Sequence, residues 1–287
     1  MLAAQSVPDC LNSFSTVIIT GASSGIGEEF LNTIAKINPN AKFFNLSRTP
    51  PAIIVSNNRL RHSPADLSSP AGQETAALAL EQWLDGEGAS AKGILLINNS
   101  GFGSYGLFPE PNVARSLAMV DLNMRALVLL TGRLLPRLQA RGGAVVNIAS
   151  VAAFQPTPFL SVYGATKAFV LNWSLGLWRE LLGTNVHILC VCPGPTGTNF
   201  FRAAGFSEPP MPGNSGQTSA QVVDESLRAL AARKPLVVCG WSNKFGVIVS
   251  GRLPRVLVTR LAYQLMIKMR LGPLAKKQKL TQQPLDN

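Results

Sequence analysis

The sequence predicts an α/β fold: a doubly wound parallel sheet (a Rossmann fold) of about seven strands with helices on both faces. Two patterns predict it. Apolar runs of strand length alternate with longer segments of helical period, and strands such as Gly93–Asn98 (GILLIN) and Ala144–Ala149 (AVVNIA) are nearly continuous in apolar residues. A strand apolar throughout is covered on both faces, which is the condition of a parallel sheet. Regular strand–helix alternation supplies the crossovers such a sheet needs. Composition agrees. The 287 residues are 46% apolar and 14% charged, which excludes wholesale disorder and allows a sizeable core.

The elements follow in order. Thr16–Thr20 (TVIIT) reads as the first strand and Ile26–Ile37 as the first helix. Ala41–Leu46 is the second strand, and Ile53–Val55 with its flanks a weak third. Thr75–Leu84 is helical, Gly93–Asn98 is a buried strand, and Val113–Leu138 is one long helix stopped near Gly142-Gly143. Strand Ala144–Ala149, helix Ser161–Leu182 and strand Val186–Val191 come next, the last ended by Pro193-Gly194. Ser219–Ala232 is helical and Leu236–Cys239 is a final short strand. Gly197–Gly216 is rich in Gly, Pro and Ser without periodicity, as a mobile lid or binding loop would be. The domain reading is one α/β body over 1–240 and a basic extension over 241–287.

The net charge of +11 is not spread evenly. Eleven Lys and Arg and a single acid, Asp286, lie within 233–287, so that stretch carries +10 and the rest is nearly neutral. Charge therefore speaks for the extension alone. Four cysteines (Cys10, Cys190, Cys192, Cys239) form no CxxC pair, and two histidines complete no zinc set, so no metal site is expected. Reduced, buried thiols fit a cytoplasmic protein. Cys190 and Cys192 alternate on a strand and share a face. The first residues lack the basic cluster and apolar run of a secretory leader.

The first strand runs into Gly21-Ala22-Ser23-Ser24-Gly25-Ile26-Gly27 and then a helix. Glycines at this junction allow a tight turn, close approach of a pyrophosphate and tight helix packing, while the helix amino end presents unpaired N–H groups. The spacing is GxxxGxG, with Thr20 in front. It resembles the nucleotide turn of the short-chain dehydrogenase/reductase family, and further motifs appear in that family's order. Asp66-Leu67 follows the third strand, Asn98-Asn99-Ser100-Gly101 ends the fourth, Asn123 lies in the next helix, and Ser150 ends the fifth strand. Tyr163-Gly164-Ala165-Thr166-Lys167 matches YxxxK 13 residues after Ser150, and Pro193-Gly194, Thr196 and Thr198 follow the sixth strand. The resemblance covers about residues 16–240. Singly, each residue has a plain reading: Asp66 a helix cap, Asn98-Asn99 a turn, Tyr163 packing, Lys167 a solvated face. Their joint order carries the signal.

The resemblance implies hydride transfer between a nicotinamide and a carbonyl or secondary alcohol. Tyr163 would be the acid/base, Ser150 would hold the substrate oxygen, and Asn123 would hold a water linking Lys167 to solvent. Lys167 would also hold the nicotinamide ribose. Cofactor contacts are implied for Gly21, Ser23, Ser24, Gly25, Ile26 and Gly27, for Asp66 and Leu67, for Asn99, Ser100 and Gly101, for Tyr163 and Lys167, and for Pro193, Gly194, Thr196 and Thr198. Tyr163 and Lys167, four apart on a helix, share one face. An ammonium about 4 Å from a phenolate stabilises it by roughly 4 kcal/mol at an effective dielectric of about 20, which would lower a pKa of about 10 by as much as about 3.

An NAD-selective site places an acid at the end of the second strand. Here Asn45-Leu46-Ser47-Arg48 stands instead, and no acid lies between Ala41 and Arg59. Arg48 and Ser47 suit a 2′-phosphate, so NADP is expected, with NAD the alternative. Ser24, before the middle glycine, is not the basic residue that some family members carry there.

After Pro254, apolar residues and Arg255, Arg260, Lys268 and Arg270 fit an amphipathic helix ended by Gly272-Pro273. It suits an anionic bilayer surface, a cap on the substrate cleft, or an oligomer contact; sparse aromatics argue against nucleic acid. An extension of this kind resembles the ketoacyl reductase and 17β-hydroxysteroid dehydrogenase branch of the family. That implies an apolar carbonyl or alcohol substrate and departs from the family's common tetramer, since the extension would cover that surface; a cytoplasmic homodimer is expected, with membrane-surface contact through the basic extension as one of its readings. The rival readings are a non-catalytic dinucleotide-binding sensor and a membrane-surface interaction protein on the same fold.

Overall fold

A computed structural model of the chain describes residues 5–52, 59–87, 92–109, 112–198, 200, 204 and 216–268. Seven parallel strands form one sheet: β1 Thr16–Thr20, β2 Lys42–Ser47, β3 Leu60–Pro64, β4 Ile94–Asn98, β5 Gly143–Ile148, β6 Val186–Cys192 and β7 Leu236–Val238. Their order is β3-β2-β1-β4-β5-β6-β7. The order reverses between β1 and β4, and in such sheets the ligand crevice opens there, beyond the strands' carboxyl ends.

Alternate residues of each strand feed the two faces. Val17 and Ile19 join the core under α1 (Val7–Asn12), α2 (Gly25–Ile37) and α7 (Ser219–Ala231). Ile18 faces the opposite core, under α3 (Pro70–Asp85) and α5 (Ala126–Arg141). A third cluster places Val170 and Leu171 of α6 (Ser161–Glu180) against Cys190 and Cys192, whose sulfurs lie 3.9 Å apart. All four cysteines are buried and unbridged.

Several boundaries differ from the sequence expectation. The third strand is Leu60–Pro64, while Ile53–Val55 lies outside the described residues. LRHSP carries no apolar signal because β3 is an edge strand with Arg61 exposed. α3 begins at Pro70, whose missing N–H is harmless in a first turn, and Ser69 rather than Asp66 caps it, accepting from Gly72 N–H at 3.1 Å. The expected single helix over 113–138 is three pieces: α4 Val113–Val120, a π-helical turn over Asp121–Arg125, and α5. Sequence periodicity does not register a widened turn of five residues. Most of Gly197–Gly216 lies outside the described residues, but its neck is pinned: Gly197 N–H donates to Gln217 O, and Gln217 N–H to Pro195 O, each at 3.1 Å. The extension holds two helices, α8 Trp241–Ser250 and α9 Arg255–Met266, of which only the second was legible after Pro254. The expected stop at Gly272-Pro273 lies outside the described residues. No described helix is long and apolar enough to cross a membrane.

Candidate active site

The glycine turn occupies the crevice at the carboxyl end of β1. Gly21 and Gly25 have φ of 73° and 64°, values that side-chain-bearing residues rarely adopt. Gly27 is required by space: a Cβ there would stand 2.2 Å from Gly21 O and 2.4 Å from Asn99 Nδ2. Ser24 occupies the N-cap of α2 with extended backbone but makes no side-chain cap bond. The Ser24 side chain thus leaves the amino end of α2 uncapped, as anion binding at a helix amino end needs. Ser23 and Ile26 line this turn in partial exposure, and Ser24 is exposed. The turn itself is held by Gly21 N–H to Leu46 O (2.8 Å) and Ala22 N–H to Asn45 Oδ1 (3.0 Å).

Loop Asn99-Ser100-Gly101 is strapped to this turn. Asn99 Nδ2 donates to Thr20 O and Gly21 O at 3.0 and 3.1 Å, while Thr20 Oγ1 accepts from the N–H groups of Asn99 and Ser100. The Asn99 side chain therefore shapes the cradle. At the end of β2, the Ser47 hydroxyl accepts from Asn45 and donates to Thr49 O, each at 2.7 Å, so it is engaged on both sides. Arg48 beside it is exposed. Asp66 is also exposed; hydrogen bonds from the Ser68 hydroxyl and N–H hold its carboxyl below the usual range, with Arg48 a smaller contributor. Leu67 is buried in the core under α3.

Tyr163 and Lys167 share the inner face of α6 and are nearly dry, at 9% and 5% exposure. Lys167 Nζ lies 5.8 Å from the Tyr163 ring centroid and donates to Ile148 O at 2.8 Å. Ser150 sits at the end of β5, accepts from Ala152 N–H (3.1 Å), and its hydroxyl lies close enough to the phenol to favour ionisation. Burial outweighs that help and pushes the Tyr163 pKa up to about 12. Burial likewise lowers Lys167 to about 8. The sequence expectation of a phenol acidified by its lysine is thus reversed. The ammonium donates one hydrogen bond to the Ile148 carbonyl, and desolvation of the phenolate is the dominant influence on Tyr163.

Asn123 lies within the π-helical turn and is buried. Its Oδ1 accepts from Phe102 N–H (3.2 Å), and its Nδ2 donates to Phe102 O and Thr166 Oγ1, both at 3.0 Å. The side chain ties loop to helix. Thr166 passes the link on, donating to Tyr163 O at 2.7 Å.

Beyond β6, Pro193 O accepts from Val151 N–H (2.9 Å), joining this strand's end to Ser150's turn. Gly194 is crowded by the extension, since a Cβ would stand 2.2 Å from Asn243 Nδ2. Thr196 donates to Gly194 O at 3.0 Å. Thr198 faces the glycine turn, its methyl 3.1 Å from where a Cβ on Gly25 would be. The Phe200 ring lies 5.2 Å from that of Tyr163. Phe159, with a left-handed φ of 66°, accepts from Gly106 N–H at 2.9 Å and stacks on Tyr263 of α9.

The structure therefore gathers Ser150, Tyr163 and Lys167, and the loop after β4 links them to the glycine turn: a Cβ on Gly101 would stand 3.4 Å from Lys167 Nζ, and one on Gly21 would stand 2.8 Å from Ser100 Oγ. Sequence reasoning read Asn98 as part of a turn and missed Asn147; both are buried. Asn98 Nδ2 donates to Thr131 Oγ1 and Asn147 Oδ1, and Asn147 Nδ2 to Ser174 Oγ. Their signal was present: one polar residue inside an otherwise apolar strand, as also at Asn45. Glu225 was missed as well. It accepts from Gln217, from Gly240 N–H and from Lys244, joining the loop's neck to the start of α8. A cavity of about 320 Å³ lies at the opposite end of the sheet, beside Gly93, Gly143 and His187, and none of the motif residues lines it.

Comparison with known proteins agrees with this fold. The family described as short chain dehydrogenase matches residues 15–206. Ketoacyl reductase HetN of Nostoc sp. is 34% identical over 185 residues, and the match spans 62% of this chain and 62% of HetN. Serine 3-dehydrogenase of Agrobacterium fabrum is 32% identical over 198 residues, 64% of this chain and 73% of that protein. Among solved structures, a short-chain dehydrogenase from Sphingobium yanoikuyae in complex with NADPH has 28% identity and a TM-score of 0.67, covering 83% of this chain and 93% of that one.

Proposed function

Since the chain belongs to the short-chain dehydrogenase/reductase family, we propose that it is an NADP-dependent oxidoreductase acting on the carbonyl or secondary alcohol of an apolar small molecule. The observation that carries this reading is the placing of Ser150, Tyr163 and Lys167 beside a glycine turn whose helix amino end has no side-chain cap. That turn suits a pyrophosphate: Gly21 and Gly25 adopt φ of 73° and 64°, and Gly27 packs directly against Gly21 O, so the backbone turns tightly into a helix end that no side chain caps. Ser100, Gly101, Thr196 and Thr198 would flank the dinucleotide, Asp66 and Leu67 its adenine, and exposed Arg48 a 2′-phosphate. The NADPH of the Sphingobium relative supports the phosphorylated cofactor.

When bound, the nicotinamide supplies or accepts the hydride. The chain supplies the proton and the orientation. A phenol with a pKa near 12 is protonated at neutral pH, which suits Tyr163 to donate to a carbonyl oxygen as that oxygen gains charge. The Ser150 hydroxyl, beside the same phenol, would hold that oxygen in line. Lys167, drawn toward neutrality but still largely charged at pH 7, favours the phenolate left behind. Phe200 and Phe159 give the approach an apolar wall.

Tyr163→Phe tests the reading. NADPH-linked reduction of a ketone panel should fall by roughly 10²–10⁴ fold, as for loss of a positioned acid, with cofactor affinity within a few-fold. Undiminished turnover would refute the assignment.

A further inference from the structure

The charged residues between 241 and 268 are Lys244, Arg252, Arg255, Arg260 and Lys268, with no acid among them. Helices α8 and α9 each turn one side to the body. Asn243 of α8 meets Gly194 and donates to Cys239 O at 2.7 Å, and α8 rests on the turn that Ser150 caps. From α9, Val258 is buried and Tyr263 stacks on Phe159 at 5.3 Å. The opposite sides are apolar. Trp241, Phe245 and Ile248 make a stripe on α8, exposed by 80%, 63% and 52%. Leu257, Leu261 and Leu265 repeat every four residues on α9, exposed by 42%, 53% and 58%. Of the fifteen exposed large hydrophobic side chains among the described residues, nine lie between Trp241 and Leu265. Scattered exposure is ordinary on a soluble protein, but clustering of this kind marks a contact surface.

Charge decides what the surface meets. A second copy related by a twofold axis would set these helices against themselves. Four cations outside the Lys244–Glu225 pair would then face their own copies with no acid in the segment to offset them. A leaflet carrying anionic headgroups takes the apolar stripes and pairs the cations together.

We propose that α8 and α9 form a docking face for an anionic lipid surface, and that the protein draws an apolar carbonyl substrate from that surface. The second half rests on the oxidoreductase reading above. It is supported by the shared wall: Tyr263, on α9, stacks on Phe159, which faces Tyr105 at 6.3 Å and precedes Tyr163 by four residues. A molecule leaving the lipid beside α9 meets this aromatic rim before it meets the phenol.

The test uses the full-length chain sedimented with phosphatidylcholine vesicles, with and without phosphatidylserine. Binding should require the anionic lipid and weaken with salt. Arg255→Gln with Arg260→Gln should weaken it by roughly 25-fold, at about fivefold per cation. Leu257→Ser with Leu261→Ser should weaken binding, leave turnover of a water-soluble ketone unchanged, and lower turnover of a long-chain ketone embedded in the vesicles. Absence of lipid binding overturns the docking face. So does a dimer, seen by sedimentation equilibrium, that the double serine variant splits. Equal turnover of the embedded ketone by both proteins overturns substrate entry from the surface. Lipid binding without turnover of any ketone keeps the docking face and removes the oxidoreductase reading instead.

Discussion

Helices α6 and α9 are built from similar materials and end in opposite situations. Both carry apolar residues at helical spacing together with cations. On α6, Val170 and Leu171 lie under the sheet and Lys167 is 5% exposed. On α9, only Val258 is buried, and the leucine stripe faces outward. The difference is position relative to the sheet. α6 crosses over between β5 and β6 and has a strand surface to cover. α9 comes after β7, the last strand in the order, and leads to no further described strand. An amphipathic pattern states that a face will be buried; it does not state against what.

The contrast between body and extension can be broken at its strongest point first. Gly27→Val forces a branched side chain onto Gly21 O and Asn99. It should cost at least about 3 kcal/mol in urea-induced unfolding, since rigid backbone cannot yield to it. A loss under about 1 kcal/mol would show that the cradle is soft.

His187 offers a pH-resolved version. It is buried at the amino end of β6, Nε2–H donating to Lys234 O at 3.1 Å, and its pKa is pushed down to about 4 by burial first and by Arg233 second. Between its ordinary 6.5 and about 4 the unfolded chain binds the extra proton, so stability is lost as pH falls through that window. The loss should approach about 3 kcal/mol. In His187→Gln the slope of stability between pH 6.5 and 4 should flatten; an unchanged slope would assign the acid sensitivity elsewhere.

Arg48→Asp reads the cofactor edge. The ratio of NADPH to NADH efficiency should drop by tenfold or more, because a 2′-phosphate loses a cation and meets an anion. A constant ratio would remove Arg48 from the site. Smallest is the effect of Leu261→Ser on stability in solution. Outward on α9, it should change unfolding free energy by no more than about 0.5 kcal/mol. A loss above about 2 kcal/mol would show that the stripe is covered after all.

Much of the site was legible because its signals are local and ordered. The glycine turn, Ser150, Tyr163 and Lys167 occur in one sequence order, and the fold brings them to one crevice. What spacing could not convey was the balance of burial against charge. Four residues of separation on a helix predict an acidified phenol, yet Lys167 donates to Ile148 O and Tyr163 rises to about 12. Nor could spacing show that Asn123 is occupied by Phe102 and Thr166, since both partners are remote in sequence. The third strand was missed because an edge strand has little apolar surface to declare.

By itself the sequence determined the parallel α/β body and the family to which the chain belongs. Hydrophobic period, turn glycines and motif order are properties of neighbouring residues along the chain. Tertiary structure alone decided which polar groups are spent internally, how desolvation sets the proton affinities of Tyr163 and Lys167, and which helix faces find cover. These depend on distance and on exclusion of water, and both arise only when strands far apart in sequence lie side by side.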